Sequence, residues 1–428
     1  MAHDIDTSIM TIATPKIDNP ARGPYVTDKP IPIFLDAEHG GEDMRGLEGK
    51  ALYFEQAGPR DHIYFDPDKT KIAIVTCGGL CPGLNDVIRA IVMEAHYSYG
   101  VRSLTGIRYG LEGFIPRYHH DIVELTPSWV SDIHTFGGTI LGSSRGPQES
   151  EEIVDALERM NVNILFVIGG DGSMKAAAAI QNEVFKRKLR ISVIGIPKTI
   201  DNDINFIPRS FGFDTAVDVA TMSLRCAHTE AIGACNGIGL VKLMGRESGF
   251  IAAQATLALN VVNFVLIPEA PFHLEGEGGL LPALEARLRS RNHAVIVVAE
   301  GAGQDLLTSN GKTDASGNRV LGDIGHFLQN AINTYFAKKD MSISLKYIDP
   351  SYLVRSTPAN TTDRIYCGQL GRNAVHAAMT GRTNMVVACL LDHYVHLPLE
   401  LVTRRRRKID IRSEYWRSVL ASTGQHLA

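Results

Sequence analysis

The segment Pro197-Lys198-Thr199-Ile200-Asp201-Asn202-Asp203 brings a cation, a hydroxyl, an amide and two carboxylates within six residues, directly after the apolar run Ile194-Gly195-Ile196. A buried strand ending there would deliver all of these groups at one sheet edge. In extended backbone Asp201 and Asp203 point to one side, with Thr199 two residues earlier on the same side. Such a set suits removal of a proton from an attacking hydroxyl, with one carboxylate as base and a helper beside it. Phosphoryl transfer needs that base and otherwise rests on positioning and charge stabilisation. A plain cluster of Asx turns uses the same residue types without any chemistry.

Two further turns offer seats for phosphate. Thr76-Cys77-Gly78-Gly79-Leu80-Cys81-Pro82-Gly83-Leu84-Asn85 follows an apolar run and opens a helical pattern, so its backbone amides would face an anion. Leu165-Phe166-Val167-Ile168-Gly169-Gly170-Asp171-Gly172-Ser173 adds a carboxylate between glycines, which could hold Mg²⁺ shared with substrate phosphates. The plain alternatives are an ordinary tight turn for the first and a helix cap at Asp171 for the second. Other phosphate motifs fail. Ser309-Asn310-Gly311-Lys312-Thr313 resembles the tail of a Walker A loop, but the earlier glycine is Leu306, so it reads as a surface loop. Gly237-Ile238-Gly239 continues as Leu240-Val241-Lys242 inside a strand pattern, which disfavours nicotinamide chemistry.

These loops need a scaffold, and the pattern supplies one. Strands are expected at 72–77, 164–168, 191–196, 237–243, 262–267, 294–299 and 385–391, each apolar on both faces as buried parallel strands are. Helices are expected at 85–96, 150–160, 214–230, 249–259, 280–290 and 325–336. The fold class is therefore α/β, with βα units and a parallel sheet. Residues 1–70, rich in Pro, Gly, Asp and His, read as an irregular N-terminal extension without a catalytic role.

At 428 residues the chain exceeds what one core accommodates, which predicts two lobes and a cleft. Its composition, 44% hydrophobic and 21% charged, is that of a globular protein rather than a disordered or fibrous one. A net charge of −4 argues against nucleic acid as a partner. Six scattered cysteines indicate neither a disulfide framework nor a zinc site and suit a reducing compartment. No apolar run reaches the roughly 20 residues that cross a bilayer, and no signal pattern is seen, so the expectation is no membrane partner and, by default, a cytoplasmic location. The run Arg404-Arg405-Arg406-Arg407-Lys408 reads as a solvated face.

The glycine turn at 76–83, Gly-Gly-Asp-Gly-Ser at 169–173, Pro-Lys-Thr-Ile-Asp-Asn-Asp at 197–203 and Lys-Leu-Met-Gly-Arg at 242–246 occur in the order found in phosphofructokinases. The chain resembles that family from about Ala57 to Gln425, most of all its plant and trypanosomatid ATP-dependent branch. The resemblance implies two lobes with mainly parallel doubly wound sheets: a nucleotide-binding lobe at 71–213 and 354–400, a sugar-phosphate lobe at 214–353 and a C-terminal tail at 401–428. It implies ATP as donor, Mg²⁺ as cofactor, fructose 6-phosphate as acceptor, a place in glycolysis and a homotetramer. By the same carry-over Gly79, Arg145, Gly146, Gly170, Asp171, Gly172, Ser173 and Lys198 bind the nucleotide, with Asp171 as metal ligand. Asp201 is the base, and Asp203 supports the metal or water network. Thr199, Ile200, Met244, Gly245, Arg246, Glu300, Tyr352 and Arg355 bind the sugar phosphate, and Arg246 also stabilises the charge in transfer.

Departures from the family pattern bear on the donor. Bacterial members carry Gly in place of Lys198, while pyrophosphate-using members carry the Lys and usually an Asp in place of Gly172. Glycine leaves room for the α-phosphate that a second carboxylate would repel, so ATP is favoured and pyrophosphate is the alternative. Gly237 stands where bacterial members place an arginine that reaches a neighbouring subunit, and Lys346 is a weaker candidate for phosphate. A lipid or NAD kinase shares Gly-Gly-Asp-Gly but leaves 197–203 unexplained. A silent sensor would not need Asp171, Asp201 and Arg246 intact.

Overall fold

A computed structural model describes residues 5–35, 50–308, 311–314 and 319–427. It divides into two compact units: residues 1–199, 204–212 and 356–406 form the first, and 200–203, 213–355 and 407–428 the second. The chain thus passes to the second unit at Ile200, returns at Ile204 and leaves again at Phe213. This differs from the expected lobes in two respects. The four residues 200–203 belong with the second unit, and the segment after residue 400 is shared between the units.

The first unit holds a seven-stranded sheet. Its strands are β1 (Lys71–Thr76), β2 (Ser103–Ile107), β3 (Ile122–Glu124), β4 (Ile164–Gly169), β5 (Ser192–Pro197), β10 (Met385–Leu390) and β11 (His393–Pro398). The spatial order is β11-β10-β5-β4-β1-β2-β3, parallel except for the antiparallel edge strands β3 and β11. Every residue of β4 and β5 is buried, which is why both read as unbroken apolar runs. Helices α1 (Leu84–Tyr97), α2 (Ser150–Arg159), α3 (Asp171–Lys186), α8 (Thr361–Met379) and α9 (Leu399–Thr403) cover this sheet. A Cβ on Gly371 of α8 would lie 2.7 Å from that of Ala90 in α1, so the two helices cross at close range.

The second unit is built on a four-stranded parallel sheet: β6 (Gly237–Leu243), β7 (Phe264–Leu266), β8 (His293–Ala299) and β9 (Ser344–Ile348), in the order β7-β8-β6-β9. Its helices are α4 (Phe213–Ile232), α5 (Phe250–Leu259), α6 (Leu280–Arg291), α7 (Ile324–Lys338) and α10 (Glu414–Thr423). Its core joins Ile238, Leu240, Ile296 and Val298 of the sheet to Leu284, Leu288, Leu328 and Phe336 of α6 and α7. Residues 407–427 are not a loose tail. Tyr415 Oη donates to Gln254 of α5 at 3.0 Å, and the Gln425 side-chain amide bonds both the N–H and the C=O of Val265, at 2.6 and 3.2 Å.

The N-terminal extension is more ordered than its composition suggests. Ile31–Phe34 pairs antiparallel with Ala51–Phe54, and Met10–Thr11 pairs with Arg382–Thr383. Strands of two to four residues are too short to leave a period of two in the sequence. Two buried arginines fasten this segment down. Arg60 and Arg382 both donate to Asp28 at 2.8 Å, and Glu55 accepts from Arg382 and from His396 at 2.6 Å. Burial alone would raise the Glu55 carboxyl, but those donors outweigh it and hold it down at about 2.

Candidate functional site

In the first unit β1 leads to β2 on one side while its other neighbour β4 leads to β5 on the opposite side. The carboxyl ends of β1 and β4 therefore flank the point where strand order reverses, the place at which open α/β sheets bind ligands. Both glycine turns leave from there. Gly78 donates its N–H to Ser144 O at 3.1 Å, and Ser143 Oγ donates to Gly78 O at 2.6 Å, which ties the Gly142–Gly146 turn to the first glycine turn. A Cβ at Gly79 would lie 3.5 Å from the Arg145 guanidinium. Lys198, only 6% exposed, follows β5, and its ammonium donates to Gly79 O at 2.6 Å. The structure thus gathers Gly79, Arg145, Gly146, Gly170–Ser173 and Lys198 at one sheet edge.

Asp171 opens α3, yet its carboxylate does not cap that helix. It accepts from Lys175 at 2.9 Å and lies 3.9 Å from Arg406 Nε. Among the described residues no group of three or more His, Cys, Asp or Glu could cage a metal. A single carboxylate at an edge of glycine turns fits Mg²⁺, which is usually held by one or two carboxylates together with substrate phosphates. A Cβ at Gly172 would meet nothing within 4 Å.

In the second unit the carboxyl edges of β6, β8 and β9 supply the remaining candidates. Met244-Gly245-Arg246 follow β6, Glu300-Gly301 follow β8, and Asp349, Tyr352 and Arg355 follow β9. Glu300 N donates to Leu243 O at 2.9 Å, and Gly301 N donates to Gly245 O at 3.0 Å. Arg246 donates to Arg319 O at 2.7 Å and lies 3.5 Å from the Asp314 carboxylate. Lys242, the basic residue of β6, pairs with Asp349 at 2.9 Å and Asp323 at 3.6 Å. Burial pushes the Glu300 carboxyl above its ordinary range, while the nearby Arg246 and Lys242 charges pull it partly back. The Arg355 guanidinium stacks over the exposed Tyr352 ring, 4.9 Å from its centre. Lys346 is exposed within β9, paired with Gly239, and so sits short of that edge.

The segment 200–203 departs from its expected shape. Asn202 has φ 55°, in the left-handed region, so the backbone is not extended and simple alternation does not place Asp201 and Asp203 on one side. Instead the turn is gripped through its carbonyls. Ser248 Oγ donates to Asp201 O at 3.1 Å, Arg407 N donates to Asp203 O at 2.8 Å, and the Arg407 guanidinium reaches Asn202 O at 3.5 Å. Asn202 and Asp203 are buried, and Asp201 is partly exposed.

The same contacts correct the reading of 404–408 as a solvated face for the middle of the run, while Arg404 and Lys408 at its ends are exposed. Arg405, Arg406 and Arg407 are only partly exposed. Arg406 bridges Ile204, Arg407 lies 4.4 Å over the Phe250 ring, and Lys408 faces Glu247 at 4.0 Å. A run of like charge carries no periodicity, so nothing in the sequence separated inward from outward members. Lys242 was likewise visible only as the first residue of the Lys-Leu-Met-Gly-Arg motif. Of the Ser309–Thr313 segment read as a surface loop, Ser309 and Asn310 lie outside the described residues, while Thr313 bridges Arg319.

The phosphofructokinase family profile matches residues 71–378. A curated relative from Borreliella burgdorferi, named ATP-dependent 6-phosphofructokinase, is 51% identical over 391 residues, covering 90% of this chain and 88% of its own. One from Arabidopsis thaliana, named ATP-dependent 6-phosphofructokinase 1, is 49% identical over 381 residues, covering 88% and 80%. Among solved structures, the pyrophosphate-dependent phosphofructokinase of Marinobacter aquaeolei matches with a TM-score of 0.68 over 84% of this chain and 92% of that one, and at 20% identity it speaks to the fold alone. The chain belongs to the phosphofructokinase family.

Proposed function

We propose that this chain transfers the γ-phosphoryl of ATP to the 1-hydroxyl of fructose 6-phosphate, giving fructose 1,6-bisphosphate and ADP, in glycolysis. Relatives named for the ATP-dependent reaction at about half identity over most of the chain support this reading. The observation that carries it is the order of parts along one loop. Lys198 is anchored on the Gly79 carbonyl, and three residues later Asp201 sits in a turn held through its carbonyls by the Ser248 hydroxyl and the Arg407 N–H.

The donor's phosphates bind along the glycine turns, Arg145, Ser173 and Lys198, where the open space at Gly172 favours ATP over pyrophosphate. Asp171 would hold Mg²⁺, which when bound neutralises charge on the β- and γ-phosphates. Met244, Gly245, Arg246, Glu300, Tyr352 and Arg355 take the sugar phosphate, with Arg355 presenting a planar fork to the 6-phosphate. Asp201 accepts the proton of the 1-hydroxyl as its oxygen bonds to the γ-phosphorus and ADP leaves with the electron pair of the broken P–O bond. Thr199 and Ile200 lie beside the sugar, Asp203 supports the metal or water network, and Arg246 stabilises the charge in transfer. We place the enzyme in the cytoplasm as a homotetramer on the family resemblance. Among the described residues no helix is long and apolar enough to cross a membrane.

Asp201→Asn tests the assignment. Turnover should fall by roughly 10²- to 10⁴-fold while the KM values for both substrates stay within a few-fold. Near-normal turnover would place the base elsewhere. Rates with ATP or pyrophosphate as sole donor test the other half, and an equal or greater rate with pyrophosphate would overturn the role given to Gly172.

A further inference from the structure

We infer that Arg406 is a donor-phosphate contact, a part of the nucleotide site rather than of a basic surface. The inference rests on the reading that the glycine turns and Asp171 receive the donor. All the contacts involved lie within the first unit.

The backbone holds Arg406 in place from two directions. It follows α9, which packs on α3, and it pairs as an antiparallel bridge with Ile204, just beyond the Pro197–Asp203 loop. The side chain, about a quarter exposed, is thereby aimed at the first residue of α3, with Nε 3.9 Å from Asp171 Oδ2. Lys175, one turn along α3, reaches the same oxygen at 2.9 Å. Asp171 is thus faced by two cations of different kinds. The lysine reaches it from the helix that Asp171 itself opens, an ordinary i,i+4 pair that any exposed helix could make. The arginine comes from a segment more than 200 residues away, which no local preference would deliver.

A divalent ion taken up by Asp171 would replace these cations as the partner of the carboxylate. The guanidinium would then stand beside the metal-bound phosphates, and its planar fork of N–H donors matches phosphate oxygens. The long-range ion pair with Asp171 would give way to a charge-assisted contact to the donor. There is room beside the carboxylate, since a Cβ on Gly172, next to Asp171, would meet no atom within 4 Å.

The test is equilibrium binding of ADP and of AMP to the full-length protein by titration calorimetry, with Mg²⁺ present and no turnover. Arg406→Ala should weaken ADP roughly tenfold and AMP much less, because AMP lacks the outer phosphates. Arg406→Lys should recover part of the loss, and fructose 6-phosphate should bind as in the parent. Arg417→Ala, which removes an exposed arginine of α10, should bind ADP like the parent. Parent-like ADP binding by Arg406→Ala would overturn the inference. An equal loss for ADP and AMP, or a loss matched by a lower melting temperature and not eased by lysine, would also overturn it in favour of a structural role. If the parent protein itself bound pyrophosphate but not ADP, the donor reading would fail together with this one.

Discussion

The carboxyl edges of the two sheets are made of different materials. In the first unit the edge is mainly backbone: glycines at 78, 79, 170 and 172, with Lys198 fixed on a main-chain carbonyl. In the second unit the edge is mainly charged side chains that already have protein partners, Arg246 with Asp314 and the Arg319 carbonyl, Lys242 with Asp349 and Asp323. A backbone edge is set by the fold and needs only room for its ligand. A side-chain edge must exchange internal partners for the ligand's groups, so its affinity is a difference between two sets of contacts.

One substitution made at both edges gives the largest contrast. A Cβ at Gly301 would stand 1.9 Å from the Arg246 carbonyl oxygen, so Gly301→Ala forces the β6 and β8 ends apart. Overpacking of this kind costs about 1–3 kcal/mol or more, and the fructose 6-phosphate KM should rise with the loss of Arg246 and Glu300 geometry. At Gly172 the added methyl meets nothing, and alanine is the better helix former, so Gly172→Ala should keep or slightly raise the melting temperature. Only its ATP KM should move. Equal destabilisation by both variants would remove the distinction between the edges.

The sequence makes the donor edge more legible than the acceptor edge, for the same physical reason. Buried parallel strands are continuous apolar runs, and the turns after them carry glycines at the offsets that a phosphate seat would use, so β1, β4, β5 and the loops they feed stand out directly. The long helices α1, α4 and α6 were placed to within two residues of their observed ends. What escaped depends on tertiary pairing. Asn202 in the left-handed region, the Lys242–Asp349 pair and the contact of Arg406 with Asp171 involve partners that no local period connects. The extension reads as irregular because its strands are too short to alternate, and its anchorage comes from the Asp28, Glu55, Arg60 and Arg382 charges and the buried His396 ring, which converge from distant parts of the chain.

If internal partners at the acceptor edge compete with the sugar phosphate, removing one should help binding. Asp314 is the test case, because its carboxylate lies 3.5 Å from Arg246 and both side chains are about a quarter exposed. Pairs this accessible are worth about 0.2–1 kcal/mol, so Asp314→Asn should lower the fructose 6-phosphate KM by a few-fold at most and leave the ATP KM alone. A higher sugar KM would mean that Asp314 positions Arg246 instead of competing for it.

The smallest effect concerns protons, and Glu300 is where it should appear. Burial raises its pKa above the ordinary value of 4.5, against the pull of Arg246 and Lys242. For an acid raised on folding, the associated stability is fully present below the unfolded pKa and is lost as pH rises through the folded one. At neutral pH the ionised carboxylate therefore burdens the fold, and Glu300→Gln, which cannot ionise, should be at least as stable as the parent there. Function runs the other way. The ionised group is the stronger acceptor for sugar hydroxyls, so in the parent the sugar KM should climb as pH falls from neutral toward the raised pKa. Glu300→Gln should start from a higher KM and stay flat across the same window. A carboxylate kept only for packing would show the stability gain without the KM penalty, so measuring melting temperature and sugar KM on one pair of proteins separates the two roles by sign.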